Sequence, residues 1–401
     1  MPKKLTKTSH RGPKNAKIMI VGEAPGKTEA DEGVPFVGAS GQEFKRILAD
    51  GGVKMDDCFI TKVCKYPPRE HHDFKKQPDD ISKFFHNKTE AKKLRAEEIG
   101  GLYPNELIRE GLTELEEDIA SVDPEIIIAV GNTALWALLG KNGGSGTTPT
   151  GITKWRGSQL YTKSIKGKKY KFVPIIHPAS ILRNWSDRFW TVHDIKERVV
   201  KPWSEPEHNF LVRPSFTETM STLQMLYNRC EGEENFHIAV DLETRHRQIA
   251  CVGLAWSNVD AICIPLMCVE NPKGYWSYEE EVSITLLLRK ILTHKNAYII
   301  GQNYAYDRQY IARQWGIMST LSFDTMVAQH VLWPGAPKGL DFLSSLYSRH
   351  HVYWKDESKE WGKEDEDTLW VYNCKDCVAT FEVAQELQKA LTSSDRDWET
   401  S

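Results

Sequence analysis

"FHIAVDLETRHRQIACVGLAW" occupies residues 236–256, and its apolar opening runs into two carboxylates, Asp241 and Glu243. Side chains alternate along a strand, so residues two apart share a face. Asp241 and Glu243 therefore leave one apolar strand on the same side. Like charges so placed repel, and a folded chain keeps them together when something positive sits between them. The stretch reads as two strands, "HIAVDLE" and "ACVGLAW", and "AICIPL" follows as a third. A helix, a fourth strand "AYIIGQN" and further helices complete a β-β-β-α-β-α order.

Two later segments add to the acidic set. Asp307 lies at a strand-to-helix turn in "GQNYAYD", and Tyr372 and Asp376 are four apart in the helical "YNCKD". That spacing puts both on one helix face. "DLET", "GQNYAYD" and "YNCKD", in this order, resemble the DEDD-type 3′–5′ proofreading exonuclease domain of family-A DNA polymerases, tyrosine subclass. "SFDTMVAQHVL" at 322–332 and "GLDFLSSLYSRHHVYWKD" at 339–356 resemble the intervening stretches found in phage polymerases. The resemblance covers about 236–392 and implies a ribonuclease H-like mixed-sheet fold. It also implies hydrolysis with two divalent ions, Mg²⁺ or Mn²⁺, for which hard carboxylate oxygens are suited. By the family pattern Asp241 would bridge the two ions, Glu243 and Asp376 would hold the first, and Asp307 would serve the second through water. Tyr372 would position the attacking water. Asn303 would sit beside the substrate strand or cap the turn, and Asp324 reads as structural. The pairs His71–His72 and His350–His351 lack ligand spacing and read as surface residues.

The first half contains "VGEAPGKTEADEGVPFVGASGQ" at 21–42. Its "GKT" is not a phosphate loop: only three residues separate Gly22 from Gly26, and one of them, Pro25, lacks the N–H such a loop donates. "GEAPG" and "VPFVG", with "DPEIIIAVGNTALWALLG" at 123–140 and "PIIHPASILRN" at 174–184, resemble the uracil-DNA glycosylase superfamily, nearest its family four. A three-layer α/β/α fold over about 17–203 is implied. In that family's pocket Phe36 would stack on a flipped base, Glu23 would orient water and His177 would donate to the leaving uracil oxygen. Ile181 and Leu182 would form a wedge beside Arg183, which would contact phosphate. Core packing is the alternative for Phe36 and Ile181. Two departures stand out. Lys62, in "FITKVCKYPP", falls where the family has a uracil-reading Asn, and an ammonium donates but cannot accept. No cysteine precedes Cys58, and Tyr66 takes a ligand position, so no iron–sulfur cluster is expected.

The 401 residues allow two or three domains. The expected layout is a basic tail (1–16), the glycosylase-like domain (17–203), a linker (204–235) containing "SEPEHNFLVRP" and then a short helix, and the exonuclease domain (236–395). Net charge is −3, yet residues 1–200 carry 33 Lys+Arg against 26 Asp+Glu, and the remainder 19 against 29. A mildly basic half suits a polyanion and an acidic half suits cations. The eight cysteines form no disulfide framework, and Cys374–Cys377 has no second pair with which to build a zinc site. No apolar run is long enough to span a bilayer and the N-terminus has no apolar signal core, so a cytoplasmic location follows, in a bacterial host if phage-encoded.

The combined reading is a metal-dependent 3′–5′ DNA exonuclease with a glycosylase-like DNA-binding domain from a phage-type replication or repair system. Its expected partners are single-stranded 3′ ends, including uracil-containing ones, and a family-A polymerase. The sequence stops within about ten residues of the last exonuclease helix, so the reading includes a split subunit or the front of a longer polymerase. Rival readings are a bifunctional glycosylase and exonuclease, a purely binding protein, and an RNA exonuclease.

Overall fold

A computed structural model describes residues 7–68, 81–271, 274–356 and 366–393. The chain forms two compact units, Met1–Ser204 with His350–Val352, and Glu205–Arg349 with Tyr353–Ser401.

In the first unit, β1 (Ile18–Gly22), β2 (Phe59–Lys62), β5 (Ile126–Val130) and β7 (Lys171–Ile175) are parallel, in the order β2-β1-β5-β7. The short β6 (Leu160–Tyr161) adds antiparallel to β7. A separate two-stranded antiparallel sheet pairs β3 (Phe85–His86) with β4 (Tyr103–Pro104). The parallel strands are buried on both faces, which explains runs such as "IIIAV" that do not alternate. The helices Ala39–Asp50, Glu106–Val122 and Asn132–Leu139 turn apolar residues inward. Ligand-facing groups in such a sheet gather beyond the carboxyl ends of the strands, and Glu23, Lys62 and His177 all lie there.

Residues read as tail are partly anchored. Thr8 N–H donates to Lys65 O at 2.8 Å, and Arg11 exchanges backbone hydrogen bonds with Ile60. Residues 1–6, with His71–His72 and the last two residues of the expected exonuclease span, lie outside the described residues.

The second unit has a six-stranded sheet of β8 (Asn209–Leu211), β9 (Phe236–Arg245), β10 (Gln248–Ala255), β11 (Asp260–Pro265), β12 (Ala297–Gly301) and β13 (Phe323–Asp324), ordered β13-β12-β9-β10-β11-β8. β9, β10 and β11 are antiparallel neighbours, while β12 runs parallel to β9. The stretch read as linker belongs to this unit. β8 pairs with β11, and the helix Phe216–Gly232 buries Leu223, Leu226 and Cys230 in the core. Ser215 and Glu218 form its capping box.

The two faces of this sheet differ. One carries Ile238, Val240, Leu242, Val252, Leu254, Ile262 and Ile264, packed with apolar residues of the helices Phe216–Gly232 and Tyr278–Leu292. The other carries Ala239, Cys251, Ala255, Ala261 and Cys263, packed against the long helix Glu366–Thr392. The second set is small, and the helix comes close. Gly253 marks the closest approach, since a Cβ there would lie 2.4 Å from Asn373 Oδ1 and 2.5 Å from Cys377 Sγ. Cys374 and Cys377 thus work as small apolar residues of that interface. Gly253→Ala is expected to cost about 1–3 kcal/mol of unfolding free energy, read by urea denaturation. A variant as stable as the parent would show that the helix is not seated on β10 in this way.

Candidate functional site

Asp241 and Glu243 leave β9 on its small-residue face, opposite Gly253 and Cys251 of β10. The helix Glu366–Thr392 brings Asp376 to the same place, so that carboxylate oxygens of Asp241, Glu243 and Asp376 lie within 4.8 Å of one another. Among the described residues no other group of three acidic, His or Cys side chains has comparable geometry. The fourth expected acid, Asp307, is not among these three. Its Oδ1 accepts from Leu242 N–H at 2.9 Å and so pins the backbone between Asp241 and Glu243.

Several contacts hold the three acids in place. The Asn373 amide donates to Asp241 Oδ2 at 2.8 Å, and Trp354 Nε1 donates to Asp376 Oδ1 at 2.6 Å. Lys355 Nζ reaches Asp376 Oδ2 at 2.5 Å and the Tyr372 hydroxyl at 3.0 Å. Trp354, Lys355 and Asn373 were not singled out from the sequence. Trp354 and Lys355 lie in a loop after the helix Leu340–Tyr347, and only "YWKD" in the quoted 339–356 stretch pointed to it.

Burial raises the Asp241 carboxyl well above the usual range, and Asp376, Asp307 and Glu243 add to the effect while Lys355 opposes it. Burial, then Asp376, pushes Glu243 up to about 7. Burial also lifts Asp307 to about 7, and raises Asp376 against the pull of Lys355. Four acids in such surroundings resist ionisation together unless a cation joins them. The donor set consists of hard oxygens, which fits Mg²⁺ or Mn²⁺ rather than soft metals.

Asn303 is exposed in the left-handed region (φ 55°) at the turn after β12. Its N–H and that of Tyr304 donate to the Asp324 carboxylate, which also caps the helix Thr325–Leu332. Backbone geometry therefore gives Asn303 a turn role whatever its side chain meets.

In the first unit the helix Asn132–Leu139 begins at the glycosylase-like pocket, where Glu23 Oε1 accepts from Thr133 N–H at 2.9 Å. Burial raises the Glu23 carboxyl, opposed by that N–H and by Lys62. Phe36 is 4% exposed and stands 6.4 Å from the His177 ring, centre to centre. Burial, helped by the charges of Lys62 and Arg183, pushes His177 down to about 3. The ring is neutral at pH 7, and its Nδ1 accepts from Ala179 N–H at 3.2 Å.

Lys62 is 2% exposed, and its ammonium lies 4.4 Å from the centre of the Phe36 ring. It donates to Glu29 Oε2 and to Ala24 O, both at 3.0 Å. Burial pulls its pKa down, against Glu29. Glu29, absent from the sequence-derived set, also accepts from the backbone N–H groups of Gly26 and Phe36, so one buried acid fixes both the loop and the lysine.

The expected wedge needs a correction. Ile181 is fully buried in the core with Ile128, Val173 and Ile175, so it cannot enter a duplex. Leu182 remains 48% exposed, and Trp185 and Phe189 of the same segment are 60% and 54% exposed. Arg183 is exposed and donates to Ser180 Oγ.

Residues 9–202 match the uracil DNA glycosylase superfamily, and residues 215–392 match the 3′–5′ exonuclease family. The type-4 uracil-DNA glycosylase of Archaeoglobus fulgidus is 30% identical over 171 residues, which cover 43% of this chain and 69% of that protein. That of Sulfurisphaera tokodaii is 32% identical over 186 residues, 45% of this chain and 68% of that one. This chain belongs to the uracil-DNA glycosylase superfamily and carries a 3′–5′ exonuclease domain. Both resemblances read from the motifs hold. A DNA polymerase of Bacillus phage SP01 is 24% identical across 94% of this chain, which spans 40% of that polymerase. No helix among the described residues is long and apolar enough to cross a membrane.

Asp241→Asn relieves repulsion inside the acidic group. It is expected to raise the melting temperature of the EDTA-treated protein and to abolish the further rise caused by Mn²⁺. Scanning fluorimetry reads both. A lower metal-free melting temperature, or an undiminished response to Mn²⁺, would contradict the reading of this group as a cation site.

Proposed function

We propose that the exonuclease domain removes nucleotides from single-stranded DNA 3′ ends at the Asp241–Glu243–Asp376 group, and that the glycosylase-superfamily domain binds DNA without excising uracil. Convergence of three carboxylates within 4.8 Å beside the Tyr372 hydroxyl carries the first statement. Asp241, Glu243 and Asp376 would hold a hard divalent cation, with Asp307 serving a second. When bound, such cations lower the pKa of water and stabilise the leaving oxygen. The protein's own part is positional. Asn373 aims Asp241, Trp354 and Lys355 fix Asp376, and Asp307 holds the backbone of β9 between the two acids that the strand carries. Tyr372 would orient the attacking water through its hydroxyl.

The second statement rests on Lys62. A base stacked on the Phe36 face would need the space above the ring that the ammonium occupies. Moving the lysine would separate a buried ion pair, at a cost of about 3–5 kcal/mol when one charge is left unpaired. With the lysine in place, no group at that position accepts from uracil N3–H. The basic balance of this half favours backbone contact instead. Likeness to a phage polymerase across nearly the whole chain supports work beside a family-A polymerase in the cytoplasm of a bacterial host.

Two assays test these statements. With 3′-labelled single-stranded DNA and Mg²⁺, the parent protein is expected to release nucleotides, Asp241→Ala and Asp376→Ala to be inactive, and Tyr372→Phe to be slowed. Activity retained in Asp241→Ala would place the chemistry elsewhere. On uracil-containing single strands the parent is expected to form no abasic sites, and Lys62→Asn to gain some. Robust excision by the parent, with Lys62→Asn no better, would sink the second statement.

A further inference from the structure

Lys355 is not one of the acids or the tyrosine assigned above, yet it touches two of those residues at once. Its Nζ lies 2.5 Å from Asp376 Oδ2 and 3.0 Å from the Tyr372 hydroxyl oxygen. The side chain is 25% exposed and Asp376 5%, so this pair is largely withdrawn from solvent screening. Nζ also lies 5.6 Å from the centre of the Trp354 ring, and the Trp354 indole secures the other oxygen of Asp376.

An ammonium has three donors and no acceptor. Lys355 can therefore only donate to the Tyr372 oxygen, and the phenol proton points away from it, toward the Asp376 carboxylate, which takes a hydrogen bond from Tyr372 as well. A carboxylate oxygen keeps a second lone pair when one is used, so Asp376 can accept from Lys355 and still face Asp241 and Glu243.

Resting on the exonuclease reading, we propose that Lys355 is a positioning residue for 3′ hydrolysis that fixes the Tyr372 hydroxyl beside Asp376 for its contact with the reacting water and partly balances the acidic group before a divalent cation enters. Lysine and tyrosine act as one unit, so their effects on the rate overlap rather than multiply. The lysine charge also repels an incoming cation, so its removal strengthens cation binding while it weakens turnover. A side chain that merely supported the fold would weaken both.

The test is a double-mutant cycle on the full chain with Lys355→Met, Tyr372→Phe and the pair, together with calorimetric titration of Mn²⁺. Lys355→Met is expected to lower kcat about 10- to 100-fold, the scale of a misplaced reacting group, with KM little changed. The double variant should be no slower than the slower single variant. Mn²⁺ should bind Lys355→Met about tenfold more tightly, the scale of losing one adjacent like charge. Lys355→Arg keeps the charge and should keep the parent's Mn²⁺ affinity. If Lys355→Met does not fold, Lys355→Arg takes its place in the cycle, because the bulkier guanidinium disturbs Tyr372 without changing the charge. An unchanged kcat, effects that multiply, or an Mn²⁺ affinity that is unchanged or weaker in Lys355→Met would overturn the proposal. Asp241→Ala separates the two claims: if it is active the site itself is misassigned, and if it is inactive while Lys355 variants behave as the parent, only the lysine proposal fails.

Discussion

The second unit depends on how closely one helix can lie on one face of a sheet. Ala239, Cys251, Gly253, Ala255, Ala261 and Cys263 keep that face low, and the helix Glu366–Thr392 settles on it. Because Asp241 and Glu243 continue the same face of β9, the helix that covers the small residues also delivers Asp376 to the two acids. Larger side chains there would lift Asp376 away. The opposite face, filled with Ile, Val and Leu, contributes burial energy and leaves the small face to geometry.

The two domains treat buried charge in opposite ways. In the exonuclease group the acids outnumber the lysine that meets them among the described residues, and burial holds their carboxyls above the ordinary range. Such a group is stabilised from outside, by a cation. In the glycosylase-like pocket the positive charge is part of the chain. Lys62 and Glu29 satisfy each other, and the neighbouring Phe36 and His177 are packed and neutral. On the proposed reading the first group calls for a cation, while the charge in the second is met within the chain.

Much of this was legible in the sequence. The alternation in "FHIAVDLE" fixed the face shared by Asp241 and Glu243, and the four-residue spacing of Tyr372 and Asp376 fixed their helix face. The glycosylase-like motifs located Glu23, Phe36 and His177 at strand ends. The helix that Ser215 and Glu218 cap was expected, but the Pro and charged residues before it suggested that it belonged to a linker. For Ile181 the core-packing alternative is the one its burial supports, because a motif gives the position of a residue and not the direction of its side chain. Lys355, Trp354, Asn373 and Glu29 gave no periodic signal. Each acts through a long-range hydrogen bond, between residues 17 to 132 apart along the chain except for the Glu29 loop contacts, and only folding brings such partners together.

The central claim is that the acidic group exists to hold hard divalent cations. Anomalous diffraction at the manganese edge, from crystals of the full chain grown with Mn²⁺, tests it most directly. The expected result is anomalous density bonded to carboxylate oxygens of Asp241, Glu243 and Asp376, absent from crystals of Asp241→Asn. Well-ordered side chains at all three positions with no anomalous density between them, at a Mn²⁺ concentration that supports nuclease activity, would contradict the account.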